Sequence, residues 1–222
     1  MAKHDKIDIG LSTILNPVPV VMVSCGSEST GPNIITIAWA GTINSEPPMV
    51  SISVRKSRHS HKIISETGEF VINLVNKPLV KSCDFCGVRS GADLDKFKEC
   101  GLTPIKAQGL EHAYAIKESP VSISCKVESV TELGSHDMFT ARIVAVTADS
   151  YILDDQGKIC LDKIKLCAYN HGEYFLLGEK VGFFGYSVAS DEAFEKRMGY
   201  SRKERDKYKH IREQGEKNGK KY

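Results

Sequence analysis

The sequence predicts a mainly β protein, a barrel or sandwich carrying helical insertions. Two observations lead there. Short runs rich in valine, isoleucine and threonine recur along the chain, set apart by clusters of Gly, Pro, Asn and Ser. Strands also fail to alternate with helices through the length, which argues against a doubly wound parallel sheet. The 222 residues suffice for one large domain or for a domain with appendages.

The elements follow in order. After a polar lead-in, "NPVPVVMVSC" reads as a strand entered through prolines, and "GSESTGPN" as a turn. "IITIAWAGTI" is the next strand, and "SEPPMVSISV" gives another that ends near Val54. "HSHKIISETG" predicts a helix that begins near Ser60, a candidate cap, and stops at Gly68. "EFVINLV" returns to strand. The stretch "KPLVKSCDFCGVRSGADLDKF" suggests two short helices around a Gly-rich turn, and "TPIKAQGLEHAYAIKESP" is mixed and turn-rich. From Pro120, "VSISCKVESVTEL" and "DMFTARIVAVTADSYIL" are strands, with the turn at Gly134–Ser135. Cys160–Lys165 is a short apolar-polar segment, and "YNHGEYFLLGEKVGFFGYS" is aromatic and Gly-rich. Residues 190–222 are highly charged. Ser190 is placed to cap a surface helix, and the last ten residues have the composition of a disordered end. The expected division is a β domain over 1–189 and a charged tail over 190–222.

Composition narrows the class. Hydrophobic residues make up 41% and charged residues 26%, and the net charge is only +2, so no global field draws the chain to nucleic acid or membrane. The first ten residues lack the apolar centre of a signal peptide, and runs such as "VPVVMV" are far too short to span a bilayer. The expectation is a cytoplasmic protein with no nucleic-acid or membrane partner. Seven cysteines, an odd number in a chain of this size, argue against a disulfide framework.

The densest chemistry lies in "SISVRKSRHSHKII", where a strand gives way to a helix. A helix N-terminus offers unpaired N–H groups and a partial positive charge. Arginine binds phosphate through two parallel charge-assisted bonds, and hydroxyls add donors. Ser53, Arg55, Ser57, Arg58 and Ser60 can therefore close around a phosphate. A solvated basic loop would have the same composition. Neither a Walker loop nor a GxGxxG following a strand is present.

Set beside its neighbours, this turn falls into an ordered pattern. The strand Asn33, Thr36, Ala38, Trp39 comes first, then the pair Pro47-Pro48. The strand end Ser53, Arg55 and a hydroxyl-bearing turn before a helix follow, then "FVINLV" and the late "HGEYFLLGE". Over about residues 14–186 this pattern resembles the flavin reductase-like, FMN-binding split-barrel family, and within it the flavoredoxin-like branch. The resemblance implies a six-stranded Greek-key barrel working as a homodimer, with FMN in a groove at the dimer interface. The isoalloxazine edge would meet backbone of the strand Thr36, Ile37, Ala38, Trp39. The phosphate would meet Ser53, Arg55 and the turn with Ser57, Arg58 and Ser60; Val54 and Asn33 would also belong to the cofactor site, and Cys83 or Cys86 would touch the flavin ring. His171 would lie on the substrate side of the flavin, where related reductases accept the nicotinamide. The implied chemistry is electron transfer through FMN from NAD(P)H or a protein donor to an acceptor.

Three other readings use different residues. "CDFC", Cys83 to Cys86, has the spacing of a zinc or thiol–disulfide motif, though a second CxxC is absent. A non-catalytic binder of flavin or heme is another reading, in which heme would draw an axial ligand from His171 or His136. "HSH" at 59–61 is too closely spaced for two ligands from one helical face, which leaves His61 as a surface residue and His59 as a phosphate neighbour.

Overall fold

The computed structural model describes residues 5–200, which fall into two compact units, 5–177 and 178–200. In the first unit a short β1 (Val18–Pro19) precedes β2 (Val21–Ser27), β3 (Gly31–Ile37), β4 (Ala40–Ser45) and β5 (Pro48–Arg55). Helix α1 (His59–Thr67) and β6 (Glu69–Leu74) follow, then α2 (Val80–Val88), α3 (Lys96–Cys100) and the small hairpin β7 (Pro104–Lys106) and β8 (Tyr114–Ile116). Two long strands, β9 (Val121–Glu132) and β10 (His136–Ala148), come next, and the hairpin β11 (Cys167–Asn170) and β12 (Glu173–Leu176) closes the unit.

The main sheet runs β3-β2-β6-β9-β10-β5-β4, with antiparallel pairing throughout. Its two edge strands are consecutive in sequence. "IITIAWAGTI", which reads as one strand, breaks at Ala38–Trp39 into β3 and β4. The first half pairs with β2 and the second with β5, and the Ser53 N–H donates to the Trp39 carbonyl across the break at 2.9 Å. One bent strand thus closes six strands into a barrel, and the fourth strand in sequence, β6, lies beside the first, β2, as in a Greek key. Register shifts between Thr140/Ala141 and between Ile143/Ala145 of β10 add the local bend that closure demands.

Alternation sorts the barrel. Val50, Ile52 and Val54 of β5 are buried with Val23, Cys25, Ile35, Phe70 and Phe139, and Ile63 and Ile64 of α1 pack into the same core. Ser51, Ser53 and Arg55 fall on the other face of β5. A second core covers the outside of β2 and β3: Met22 and Ile34 meet Leu79, Cys83 and Cys86 of the α2 region and Phe97 of α3. β2 is therefore buried on both faces from Val21 to Gly26, Ser24 included.

Helix α1 ends at Gly68, whose φ of 66° is the left-handed conformation of a C-cap. Its start differs from the sequence expectation. Arg58, with extended backbone and no side-chain cap bond, occupies the N-cap, while Ser60 lies inside the first turn, buried. Its hydroxyl is taken by Asn33 Nδ2 at 2.7 Å, and that tertiary bond outweighs capping. The turn-rich stretch 103–120 contains the β7–β8 hairpin, and residues 161–164 form a 3₁₀ turn.

Two buried polar groups tie the elements together. Asn73 donates to Met22 O and Ser24 Oγ and accepts from Ile116 N–H and Ser122 Oγ, all within 3.0 Å, so one amide joins four segments. Glu69, 5% exposed, accepts from the N–H groups of Glu111, His112 and Ala113, and Lys126 approaches it at 3.7 Å. Burial raises its pKa, but the three backbone donors and Lys126 outweigh burial and leave it below the ordinary 4.5. A carboxylate whose pKa is depressed on folding contributes stability above the unfolded value and loses it as pH falls through the folded one. Glu69→Gln is therefore expected to destabilise the protein at pH 7, with the difference from wild type shrinking as pH falls below about 4.5. Denaturant melts across this range check it. A constant difference down to pH 3 would show that charge is not what Glu69 contributes.

In the second unit Ser190 caps α4 (Asp191–Met198) by accepting from the Ala193 N–H, as its position in the sequence suggests. Phe194 packs between Phe183 and Tyr200, and the Arg197 guanidinium stands 4.3 Å from the Phe183 ring centroid. The predicted disordered end lies outside the described residues.

Candidate functional site: a groove that ends in a cationic cavity

A groove of about 640 Å³ runs along the outside of the barrel where β3 bends into β4. Thr36, Ile37, Ala38 and Trp39 form one wall and Ser53, Val54 and Arg55 of β5 another. Arg58 lines one part of it and His171 also faces it. The Ile37 and Val54 side chains belong to the barrel core, so they offer backbone to the groove. Thr36 is fixed by donating its hydroxyl to the Cys83 carbonyl.

A second cavity of about 130 Å³ adjoins the groove and shares Ile35, Arg58 and Gly87 with it. Ser57, His59 and Ser60 line it from the start of α1, and Cys86, Arg89, Ser90, Gly91 and Lys96 from α2, α3 and the loop between them. Asn33 stands behind Ser60 rather than in the cavity. Gly91 is required here, because a Cβ would lie 2.0 Å from Asn33 Oδ1.

The electrostatics of the small cavity have one sign. Lys96 is 4% exposed, and its ammonium donates to Ile34 O and Cys86 O at 2.8 Å each. An ammonium has three donors, so one is left over. Burial pushes the Lys96 pKa down. No acidic residue lies in the first turn of α1, and Arg55 and Arg58 form no side-chain ion pair among the described residues. Two arginines, a buried lysine, three serines and a helix N-terminus converge on a space with no carboxylate in its lining. That is a donor set for a dianionic phosphate.

The rest of the groove is aromatic and mixed. The Trp39 ring lies 4.6 Å from the ring of His136, which pairs with Arg55 across β10 and β5. Burial and the Arg55 charge hold the His136 pKa below 6.5. His171 and Gly172, with φ of 49° and 96°, form the two-residue turn of the β11–β12 hairpin. The His171 N–H donates to Asn16 Oδ1 at 3.2 Å, and the Tyr174 hydroxyl donates to Asp84 Oδ1 at 3.0 Å, seating the hairpin against α2.

Two sequence expectations change. Cys83 lines neither cavity: it is fully buried in the outer core, and it serves the site only through its carbonyl. His61 is not a surface residue. Its Nε2 lies 2.8 Å from Asp137 Oδ2 and its ring stands edge-on to Phe139. Lys96, Arg89, Ser90, Gly91 and Asp84 were not expected at the site, because helix packing alone brings them there, and Tyr174 arrives with the β11–β12 hairpin.

The CxxC reading finds no support in this geometry. All seven cysteines are free thiols, and burial pushes Cys25, Cys83 and Cys125 up to about 12. No group of three or more metal-capable side chains occurs among the described residues. None of the described helices is long and apolar enough to cross a membrane.

A closed six-stranded barrel with a phosphate-suited cavity at the end of a backbone-walled groove defines a split-barrel flavoprotein scaffold. The chain belongs to the flavin reductase like domain family, which matches residues 14–175. The structure of the flavoredoxin of Desulfovibrio vulgaris (Miyazaki F) is 30% identical, with a TM-score of 0.77 over 84% of this chain and 100% of that one. The flavoredoxin of Methanosarcina acetivorans is 26% identical, with a TM-score of 0.76 over 83% and 100%. An FMN-binding protein from Thermus thermophilus shares the fold at 19% identity, with a TM-score of 0.68 over 82% and 99%. By sequence, an uncharacterized protein of Archaeoglobus fulgidus is 28% identical over 68% of this chain and 84% of its own length.

Proposed function

We propose that the protein is an FMN-dependent redox protein, with the phosphate held in the small cavity and the ring system in the groove. The observation that carries this reading is the junction itself: a backbone-walled slot opening directly into a cavity lined by Arg58, Arg89 and Lys96. The groove volume lies within the usual range for cofactor sites. The small cavity suits one phosphate, which favours FMN over FAD, as do the flavoredoxin and FMN-binding names of the structural neighbours.

FMN, when bound, supplies hydride and single-electron chemistry; the protein supplies binding, orientation and electrostatics. Ser57, Arg58, Ser60 and the α1 N-terminus hold the phosphate from one side, and Arg89 and Lys96 from the other. Arg55 and the Thr36–Trp39 backbone position the part of the ligand nearer the barrel. His136, kept neutral at pH 7, leaves the Arg55 charge available to the ligand. His171 and Tyr174 border the space left for a donor such as NAD(P)H or a small acceptor.

We further propose that the working form is a homodimer. Ile43 of β4, Val130 of β9, and Val144 and Val146 of β10 are 39–50% exposed, an apolar set near the groove's own strands that a second copy would cover.

An anaerobic visible spectrum with added FMN, before and after NADH or NADPH, tests the redox reading. A bound flavin that bleaches with pyridine nucleotide marks a reductase, and one that bleaches only with dithionite marks a carrier fed by another protein. Protein that leaves the FMN spectrum unperturbed contradicts the proposal.

A further inference from the structure

One pair of thiols has no assigned chemistry in the cofactor reading. Cys86 of α2 and Cys100 of α3 place their sulfurs 3.9 Å apart. The partner of Cys86 is thus Cys100, fourteen residues on, and not Cys83 of the CxxC. Cys86 is 1% exposed, whereas Cys100 is only half-buried. We propose that Cys86 and Cys100 are a dithiol oxidation site that closes to an intramolecular disulfide and thereby loosens the anion cavity.

The oxidant is a peroxide, the class of product that reduced flavin makes with oxygen. Cys100 thiolate attacks one peroxide oxygen, the O–O bond breaks, and sulfenic acid and, after protonation, water are left. The Cys86 sulfur then attacks the sulfenic sulfur, its proton leaves with the displaced hydroxide as water, and the S–S bond forms. Two thiols lose two electrons and two protons, and one peroxide becomes two waters. Burial sets this order, because Cys100 is the less buried of the two. Burial pushes the Cys86 thiol pKa up, so Cys86 is not the first sulfur to be oxidised.

The consequence for the cavity follows from what Cys86 touches. It lines the cavity, its carbonyl takes one of the two Lys96 bonds, and Lys96 opens the short helix that ends in Cys100. A disulfide needs its sulfurs about 2.05 Å apart, so closure pulls α2 and α3 together by shifting side chains and backbone. The Cys86–Lys96 contact lies within the loop that is closed. This second half of the proposal rests on the FMN reading; the first half does not.

The test uses the full-length protein treated with stoichiometric hydrogen peroxide, alkylated, and mapped by mass spectrometry without reduction. The expected result is one linked peptide joining Cys86 to Cys100, absent in Cys100→Ser and removed by dithiothreitol. Both cysteines alkylated, Cys100 driven to sulfinic acid with Cys86 still a thiol, or a link through Cys160 between two chains would each overturn the site. FMN titration of the oxidised and reduced forms tests the coupling. The account expects about tenfold weaker binding on oxidation, the cost of misplacing one charge-assisted contact, and no change in Cys100→Ser. Equal affinity in the two wild-type forms overturns the coupling. If the reduced protein binds no FMN, the functional reading fails, yet the peptide map still decides whether the disulfide exists.

Discussion

Arg55→Ala combined with Arg58→Ala is expected to remove most of the FMN affinity while leaving the fold intact. Both side chains are exposed and line the groove, and neither takes part in a core or an ion pair among the described residues. A hydrogen bond to a charged group contributes about 1.5–3 kcal/mol, and solvent screening places exposed groups at the low end. Two such losses sum to about 3 kcal/mol, or roughly 100-fold in Kd. Fluorescence-quenching titration measures the affinity and a thermal melt the fold. A Kd within about threefold of wild type, less than 1 kcal/mol, would remove the two arginines from the ligand site.

Lys96→Met is expected to damage both stability and binding. Methionine matches the length of the lysine stem but leaves the carbonyls of Ile34 and Cys86 without their donor. An unsatisfied buried polar group costs about 1–3 kcal/mol, so the pair costs about 3 kcal/mol. In a domain of this size that lowers Tm by roughly 6–12 °C. The same change removes the only cation among the described residues that is itself buried in the cavity wall. Calorimetry and FMN titration of one preparation separate the two effects. An unchanged Tm would mean that water replaces the ammonium at both carbonyls.

The contrast between these two predictions marks what could be read from the chain. Arg55 and Arg58 lie in one continuous segment, where a strand's two-residue period and a helix start place side chains by local rules. "SISVRKSRHS" therefore announced its donors, and Gly68 announced the end of α1. Lys96 and Arg89 reach the cavity only because α2 and α3 pack on the outer face of β2 and β3. No local period records that packing, so "GVRSGADLDKF" read as a turn between helices. The break at Trp39 was hidden for a related reason. Both halves of "IITIAWAGTI" have strand composition, and only closure of the barrel requires one strand to change partners there. Cys83 misled through proximity: the backbone of its helix turn holds Thr36, but the sulfur is directed into the outer core. His61 misled through composition, since nothing nearby in sequence foretells its bond to Asp137.

The central claim is that the cationic cavity exists for the phosphate of a flavin. It is tested most directly by titrating the purified protein with FMN and with riboflavin, which differ only by that phosphate. The account predicts that FMN binds at least about 100-fold more tightly, as two or more charge-assisted contacts require. Arg58→Ala, which removes one phosphate contact and leaves Arg89 and Lys96, should narrow that gap by about tenfold. Equal affinity of the wild-type protein for FMN and riboflavin would contradict the assignment of the cavity.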